Sequence, residues 1–79
     1  MITVLYFAAV RDLVGQSEET IATSARTIAE LRAWLEKNRP ALEGRLGAVR
    51  FARNEQFATD DEAIADGDVV ALIPPVAGG

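Results

Sequence analysis

The chain contains no cysteine and no histidine. Without cysteine it has no disulfide framework and no thiol nucleophile, which suits the reducing cytosol. Without histidine it lacks both the commonest general base near neutral pH and the commonest transition-metal ligand. Cations are few as well: 8 Lys and Arg stand against 12 Asp and Glu, a net charge of −4 with a pI near 4.6. That balance excludes the basic footprint of a nucleic-acid binder and points to a basic protein partner. No apolar run approaches the roughly 20 residues of a membrane span. Met1-Ile2-Thr3 enters a strand directly, with no basic region, apolar core or cleavage site of a secretory signal. The expectation is a small cytoplasmic protein without catalytic machinery of its own.

What is present suffices for one domain. Seventy-nine residues, 49% hydrophobic and 25% charged, are ordinary for a globular chain and argue against disorder. A chain of this size buries about 60–65% of its unfolded surface, enough for a modest single core.

The residues that organise the chain are its last eight, Leu72-Ile73-Pro74-Pro75-Val76-Ala77-Gly78-Gly79. An apolar strand meets two prolines that lack N–H donors and fix φ, so sheet pairing is expected to stop there and the chain to run on extended. Gly78 and Gly79 have no Cβ and can pass a channel too narrow for a side chain. Six extended residues span roughly 20 Å, which holds the terminal carboxylate well away from the domain. The division expected is therefore a domain over 1–73 and an extended tail over 74–79.

Upstream, Ile2 to Ala8 alternates Ile2/Val4/Tyr6 with Thr3/Leu5/Phe7, and its β-branched and aromatic residues predict a strand. Ala9 to Val14 predicts one helical turn closed by Gly15, and Ser17 to Thr23 a second, more polar strand paired as a hairpin. Thr27-Ile28-Ala29-Glu30 is a capping box, with Thr27 accepting from the Glu30 N–H and the Glu30 carboxylate reaching back to the Thr27 N–H. The helix it starts buries Ile28, Leu31 and Leu35, sets Trp34 at the core edge and Arg32 on the polar side, and ends near Asn38 before Pro40. Leu42 to Leu46 predicts a short turn. Val49 to Arg53 reads as a third strand whose Arg50 and Arg53 are solvent charges. Asn54-Glu55 is a turn and Gln56-Phe57-Ala58 a return strand. Asp60 and Asp61 lie in a solvated acidic loop that lacks the spaced ligands of a calcium site. Asp66-Gly67-Asp68 turns the chain into the last strand, Val69 to Ile73.

The order β-β-α-β-β-β defines an α+β fold of the β-grasp, ubiquitin-like type, a mixed sheet of about five strands with one main helix on one face. The first and last strands are apolar on both faces, and one helix of about eleven residues covers only one of them. With Ile2, Val4, Tyr6, Val70 and Leu72 under the helix, Leu5, Phe7, Ala71 and Ile73 lie on the open face with Phe57 nearby. An uncovered apolar patch beside a tail is a docking surface.

Two stretches carry a family resemblance across the whole chain. Val4-Leu5-Tyr6-Phe7-Ala8-Ala9-Val10-Arg11-Asp12-Leu13-Val14-Gly15 and the run from Asp66-Gly67-Asp68 to Gly78-Gly79 resemble the small subunits of molybdopterin synthase, the MoaD-type ubiquitin-like sulfur carriers. The resemblance implies no permanently bound cofactor. It implies instead that an activating enzyme similar to those of ubiquitin adenylates Gly79 with ATP, that Gly79 becomes a thiocarboxylate, and that this sulfur goes to cyclic pyranopterin monophosphate to form the molybdopterin dithiolene. Gly78 threads the tail, and Leu5, Phe7, Phe57, Ile73, Pro74, Pro75, Val76 and Ala77 meet the large subunit, in a heterotetramer of two small and two large subunits. The catalytic groups belong to that large subunit. Two alternatives stay open: a sulfur carrier for thiamine or another thiolated product, and a β-grasp interaction module that is never thiolated.

Overall fold

The computed structural model describes residues 1–75. The chain runs β1 (Ile2–Tyr6), α1 (Ala8–Val14), β2 (Glu18–Ile21), α2 (Ile28–Asn38), a 3-10 turn (Pro40–Leu42), β3 (Arg50–Arg53), β4 (Gln56–Ala58) and β5 (Val69–Ile73). Its strands form one mixed sheet in the order β2-β1-β5-β3-β4. β1 and β5 are parallel, with Thr3 opposite Val69 and Tyr6 opposite Leu72, and the other neighbours are antiparallel. Each of these two strands therefore has a strand on either side. This is the β-grasp arrangement read from the sequence.

One face of the sheet is closed by α2. Val4, Tyr6, Val70 and Leu72 from the sheet and Ile28, Leu31 and Leu35 from the helix are each no more than 1% exposed. Burying one such aliphatic side chain is worth about 1.5–3 kcal/mol, so these contacts supply much of the force that holds the helix down. The helix starts at Thr27, whose Oγ1 accepts from the Glu30 N–H at 3.2 Å. The reciprocal bond differs from expectation. The Glu30 carboxylate accepts from the N–H of Arg26 at 2.8 Å, one residue before Thr27. The Thr27 residue is instead bridged to Ala63, which ties the helix start to the loop before β5.

Three further differences have physical causes. The expected single turn after β1 is a seven-residue helix, anchored by the buried Val10 and closed by Gly15 at φ 87, whose N–H donates to the Arg11 carbonyl. One buried residue is too little periodicity to reveal it. β1 stops at Tyr6 because the Phe7 carbonyl already accepts from Val10 and Arg11 as the helix begins. After α2, Leu42 and Leu46 are fully buried, so the segment expected as a simple turn closes the open end of the core.

At the other end, β5 ends at Ile73 and neither Pro74 nor Pro75 belongs to a strand, as two residues without N–H donors require. Val76, Ala77, Gly78 and Gly79, on which the tail expectations fall, lie outside the described residues.

Candidate functional site

The face of the sheet opposite α2 carries an open apolar groove of about 660 Å³. Strand alternation builds it. Residues whose neighbours Val4, Tyr6, Val70 and Leu72 point to the core must themselves point outward, and so Leu5, Ala71 and Ile73 line the groove. Phe57 joins them from β4, opposite Ala52 on β3. Phe7 lies at the end of β1, where its backbone is still extended and Ala8, at φ 48, turns the chain into α1. Phe7 is 44% exposed and Phe57 57%, while Leu5 and Ile73 are half-buried. The five residues expected on the open face, Leu5, Phe7, Phe57, Ala71 and Ile73, thus come together around one groove. Pro74, half-buried, and Pro75, exposed, follow at the place where the chain leaves the sheet.

Sequence reasoning missed Val69, Ala52, Asn54 and Glu55, which line the same groove. Val69 and Ala52 were recoverable from alternation with Val70 and Phe51. The other two form the β3–β4 turn, where both Asn54 (φ 49) and Glu55 (φ 72) are left-handed, as a two-residue hairpin loop demands. Asn54 is held on all sides: its N–H donates to the Val69 carbonyl at 2.8 Å, its Oδ1 accepts from the Val69 N–H at 2.9 Å, and its Nδ2 donates to Asp68 at 3.1 Å. Glu55 has no such bond to any described residue. Glycine fills its position most cheaply, since a left-handed conformation costs other residues about 1–2 kcal/mol.

Two charged clusters lie outside the groove, and neither was legible in sequence. Arg53, expected to be a solvent charge, donates from Nε to Asp68 at 2.7 Å and approaches Glu62 at 3.5 Å. Asp68 is 8% exposed and also accepts from the Ala65 N–H. The Arg53 guanidinium, with the Ala65 N–H and Asn54, holds this carboxyl below its ordinary value. The second cluster joins the buried Tyr6 hydroxyl, which donates to Glu19, to Arg39, whose Nε and Nη2 donate to Glu19 at 2.9 and 2.5 Å. The bonds from Arg39 keep Glu19 low, while burial, then the bonded carboxylate, pushes the Tyr6 phenol up. Arg39 also lies over the half-buried ring of Trp34, 5.4 Å from its centroid, at the core edge where Trp34 was expected.

Arg32 is a third departure. Expected on the polar side of α2, it lies half-buried over Phe51 and donates to the Leu46 carbonyl and to Asp60. Its long stem covers apolar surface while its head finds acceptors at the margin. Arg50 is exposed as expected, but stacks on Phe57 with its guanidinium carbon 3.9 Å from the ring centroid. Among the described residues no group of three or more acidic side chains is placed to hold a metal ion, and no helix is long and apolar enough to cross a membrane.

A mixed five-stranded sheet gripping one main helix, with its other face open and apolar, places the molecule among the ubiquitin-like β-grasp proteins. The chain belongs to the ThiS family, which it matches over residues 4–79. It is 40% identical over 81 residues to the molybdopterin synthase sulfur carrier subunit of Escherichia coli (strain K12), covering 100% of both chains. Among solved structures it is similar to SAMP1 from Haloferax volcanii, with a TM-score of 0.86 at 29% identity, covering 99% of this chain and 98% of that one. It is also similar to a chain in the complex of subunits 1 and 2 of the molybdopterin-converting factor from Helicobacter pylori 26695, with a TM-score of 0.72 at 30% identity and coverage of 99% and 97%.

Proposed function

We propose that this chain is the sulfur-carrying small subunit of a molybdopterin synthase. The observation that carries the reading is the full-length 40% identity to a sulfur carrier subunit of that enzyme, in a chain ending Pro74-Pro75-Val76-Ala77-Gly78-Gly79. The chemistry is assigned to the Gly79 carboxylate. A carboxylate is resonance-stabilised and has no good leaving group, so it must first attack the α-phosphate of ATP, releasing pyrophosphate. In the acyl adenylate AMP is the leaving group. The outer sulfur of a persulfide displaces it, and a thiol then frees that sulfur as the thiocarboxylate. An activating enzyme similar to those of ubiquitin supplies ATP chemistry, and the chain itself, without cysteine, keeps the sulfur at its terminus.

The groove formed by Leu5, Phe7, Phe57 and Ile73 is the docking face for the large subunit, and Pro74 to Ala77 lead Gly78 and Gly79 into the large subunit's active site. There the thiocarboxylate gives its sulfur to cyclic pyranopterin monophosphate, in a heterotetramer of two small and two large subunits. The solved complex of two molybdopterin-converting factor subunits supports a large-subunit partner. Deleting Gly79, or adding a residue after it, tests the reading. The altered chain remains folded but yields no molybdopterin when reconstituted with the activating enzyme, sulfur donor and large subunit. Normal product from a folded truncation rejects the carrier role, and a thiolated chain that forms no molybdopterin but does support thiamine synthesis reassigns its product.

A further inference from the structure

Two charges of opposite sign stand beside the apolar groove without an ion-pair partner among the described residues. Glu55 lines the groove from the β3–β4 turn, and Arg50, at the start of β3, stacks on the lining residue Phe57. The guanidinium of Arg50 reaches across to β4, 3.9 Å from the centroid of the Phe57 ring, while Glu55 stands in the turn that joins β3 to β4. Neither forms an ion pair with another described residue. Arg50 is the register partner of Ile73, the last strand residue before the chain leaves the sheet, and its side chain turns away from β5 toward Phe57 on β4. Glu55 keeps a left-handed backbone that glycine would relieve, yet the side chain thereby held out over the groove contributes no bond within the described fold. The turn that presents it is fixed by the three bonds of Asn54 to Val69 and Asp68. A costly conformation, rigidly supported, with its carboxylate left free beside a docking surface, is the pattern of a presented recognition group.

We propose that Glu55 is a specificity-determining residue for docking, and that it receives a lysine or arginine of the protein that covers the groove, while Arg50 receives an acidic residue of the same partner. This rests on the reading of the groove as the large-subunit face. The apolar centre supplies affinity in either orientation. The two charges select one: a docking that sets Glu55 against an acid or Arg50 against a base brings like charges together and is disfavoured. The orientation selected fixes the direction in which the residues after Ile73 leave for the partner.

The test measures binding of the full chain to the large subunit from the same genome at low and high salt, for wild type, Glu55→Gln, Glu55→Lys and Glu55→Gly. Glu55→Gln weakens binding about fivefold and Glu55→Lys about tenfold or more at low salt, mostly through slower association. The differences shrink as salt screens the pair. Glu55→Gly raises the thermal midpoint of the free chain by relieving the backbone and still weakens binding, whereas a merely structural Glu55 makes the glycine variant more stable and equally tight. Glu55 variants that all bind as wild type overturn the proposal while leaving the docking face intact. A wild-type chain that does not bind the large subunit overturns the functional reading itself, and this inference with it.

Discussion

The Nε of Arg53 lies 2.7 Å from Oδ2 of Asp68, joining the end of β3 to the residue that leads into β5. Asp68 accepts at the same time from Asn54 and from the Ala65 N–H, so one carboxylate fixes the β3–β4 turn and the Asp66-Gly67-Asp68 turn, where Gly67 takes φ 90. Both turns border the central strand of the sheet. Asp68→Ala removes the buried acceptor of Arg53, Asn54 and the Ala65 N–H, and is expected to cost about 1–3 kcal/mol in chemical denaturation. A variant as stable as wild type shows that water or a rearranged turn replaces the carboxylate.

The same residue sets part of the acid limb of stability. Its folded-state pKa is depressed, so between that value and the unfolded value of about 4 the unfolded chain binds more protons. Stability is therefore complete above about pH 4 and is lost as pH falls through the folded value. Glu19, also depressed by its bonds to Arg39, acts in the same direction. Asp68→Asn flattens this limb without removing it, because Glu19 remains. Parallel acid unfolding curves for wild type and Asp68→Asn contradict the assignment.

Tyr6 acts at the opposite end of the pH scale. Burial and the Glu19 carboxylate raise its folded pKa, so its contribution is complete below the unfolded value of about 10 and is lost as pH rises through the folded value. Tyr6→Phe costs about 1–2 kcal/mol near neutral pH through the lost hydrogen bond to a charged acceptor. It also makes stability less sensitive to pH above 10. Equal alkaline sensitivity in both chains places the titration elsewhere.

Phe7 separates folding from docking. It is 44% exposed, so Phe7→Asp puts a charge into solvent and leaves the monomer folded. An aromatic anchor at an interface centre carries about 2 kcal/mol or more, and the variant is expected to bind the large subunit at least about thirtyfold more weakly. Val4→Asp, two places from Leu5's neighbour Tyr6 and fully buried, unfolds the chain outright and serves as the contrast. A collapsed Phe7→Asp monomer contradicts the face assignment.

A substitution at Gly78 tests the proposed passage of the tail into the large subunit. Gly78→Val adds a Cβ and two branches that restrict the backbone and widen the chain. Molybdopterin formation is expected to fall steeply in the reconstituted system while the thermal midpoint stays where it was. Full turnover shows that the channel is wide or absent.

The fold was legible because the strands and α2 announce themselves locally. Ile2/Val4/Tyr6 and Val70/Leu72 alternate with a second apolar set, and that doubling alone gives a covered face and an open one. Thr27 and Glu30 mark the start of the helix within four residues. The parts that stayed hidden depend on partners far apart in the chain. Nothing in the sequence links Tyr6 to Glu19, 13 residues away, or Glu19 to Arg39, 20 residues away. Arg53 reads as a surface charge until β3 is laid beside β5 and brings it to Asp68. Leu42 and Leu46 carry no period of their own, and only closure of the sheet shows that they plug the core. Glu55 was legible as a turn residue, but its position over the groove required the register of β3 with both β4 and β5.

Sulfur carriage is assigned to Gly79, and intact-mass analysis of the chain reads that sulfur without an intervening assay. After incubation with the activating enzyme, ATP and a persulfide donor, fragment masses should place one oxygen-to-sulfur exchange in the C-terminal peptide. The location matters, because oxidation of Met1 gives nearly the same change in total mass at the opposite end of the chain. The exchange is expected at Gly79, dependent on ATP and absent when Gly79 is deleted. A C-terminal peptide that keeps both carboxylate oxygens, with an activating enzyme that thiolates its other carrier substrates under the same conditions, contradicts it.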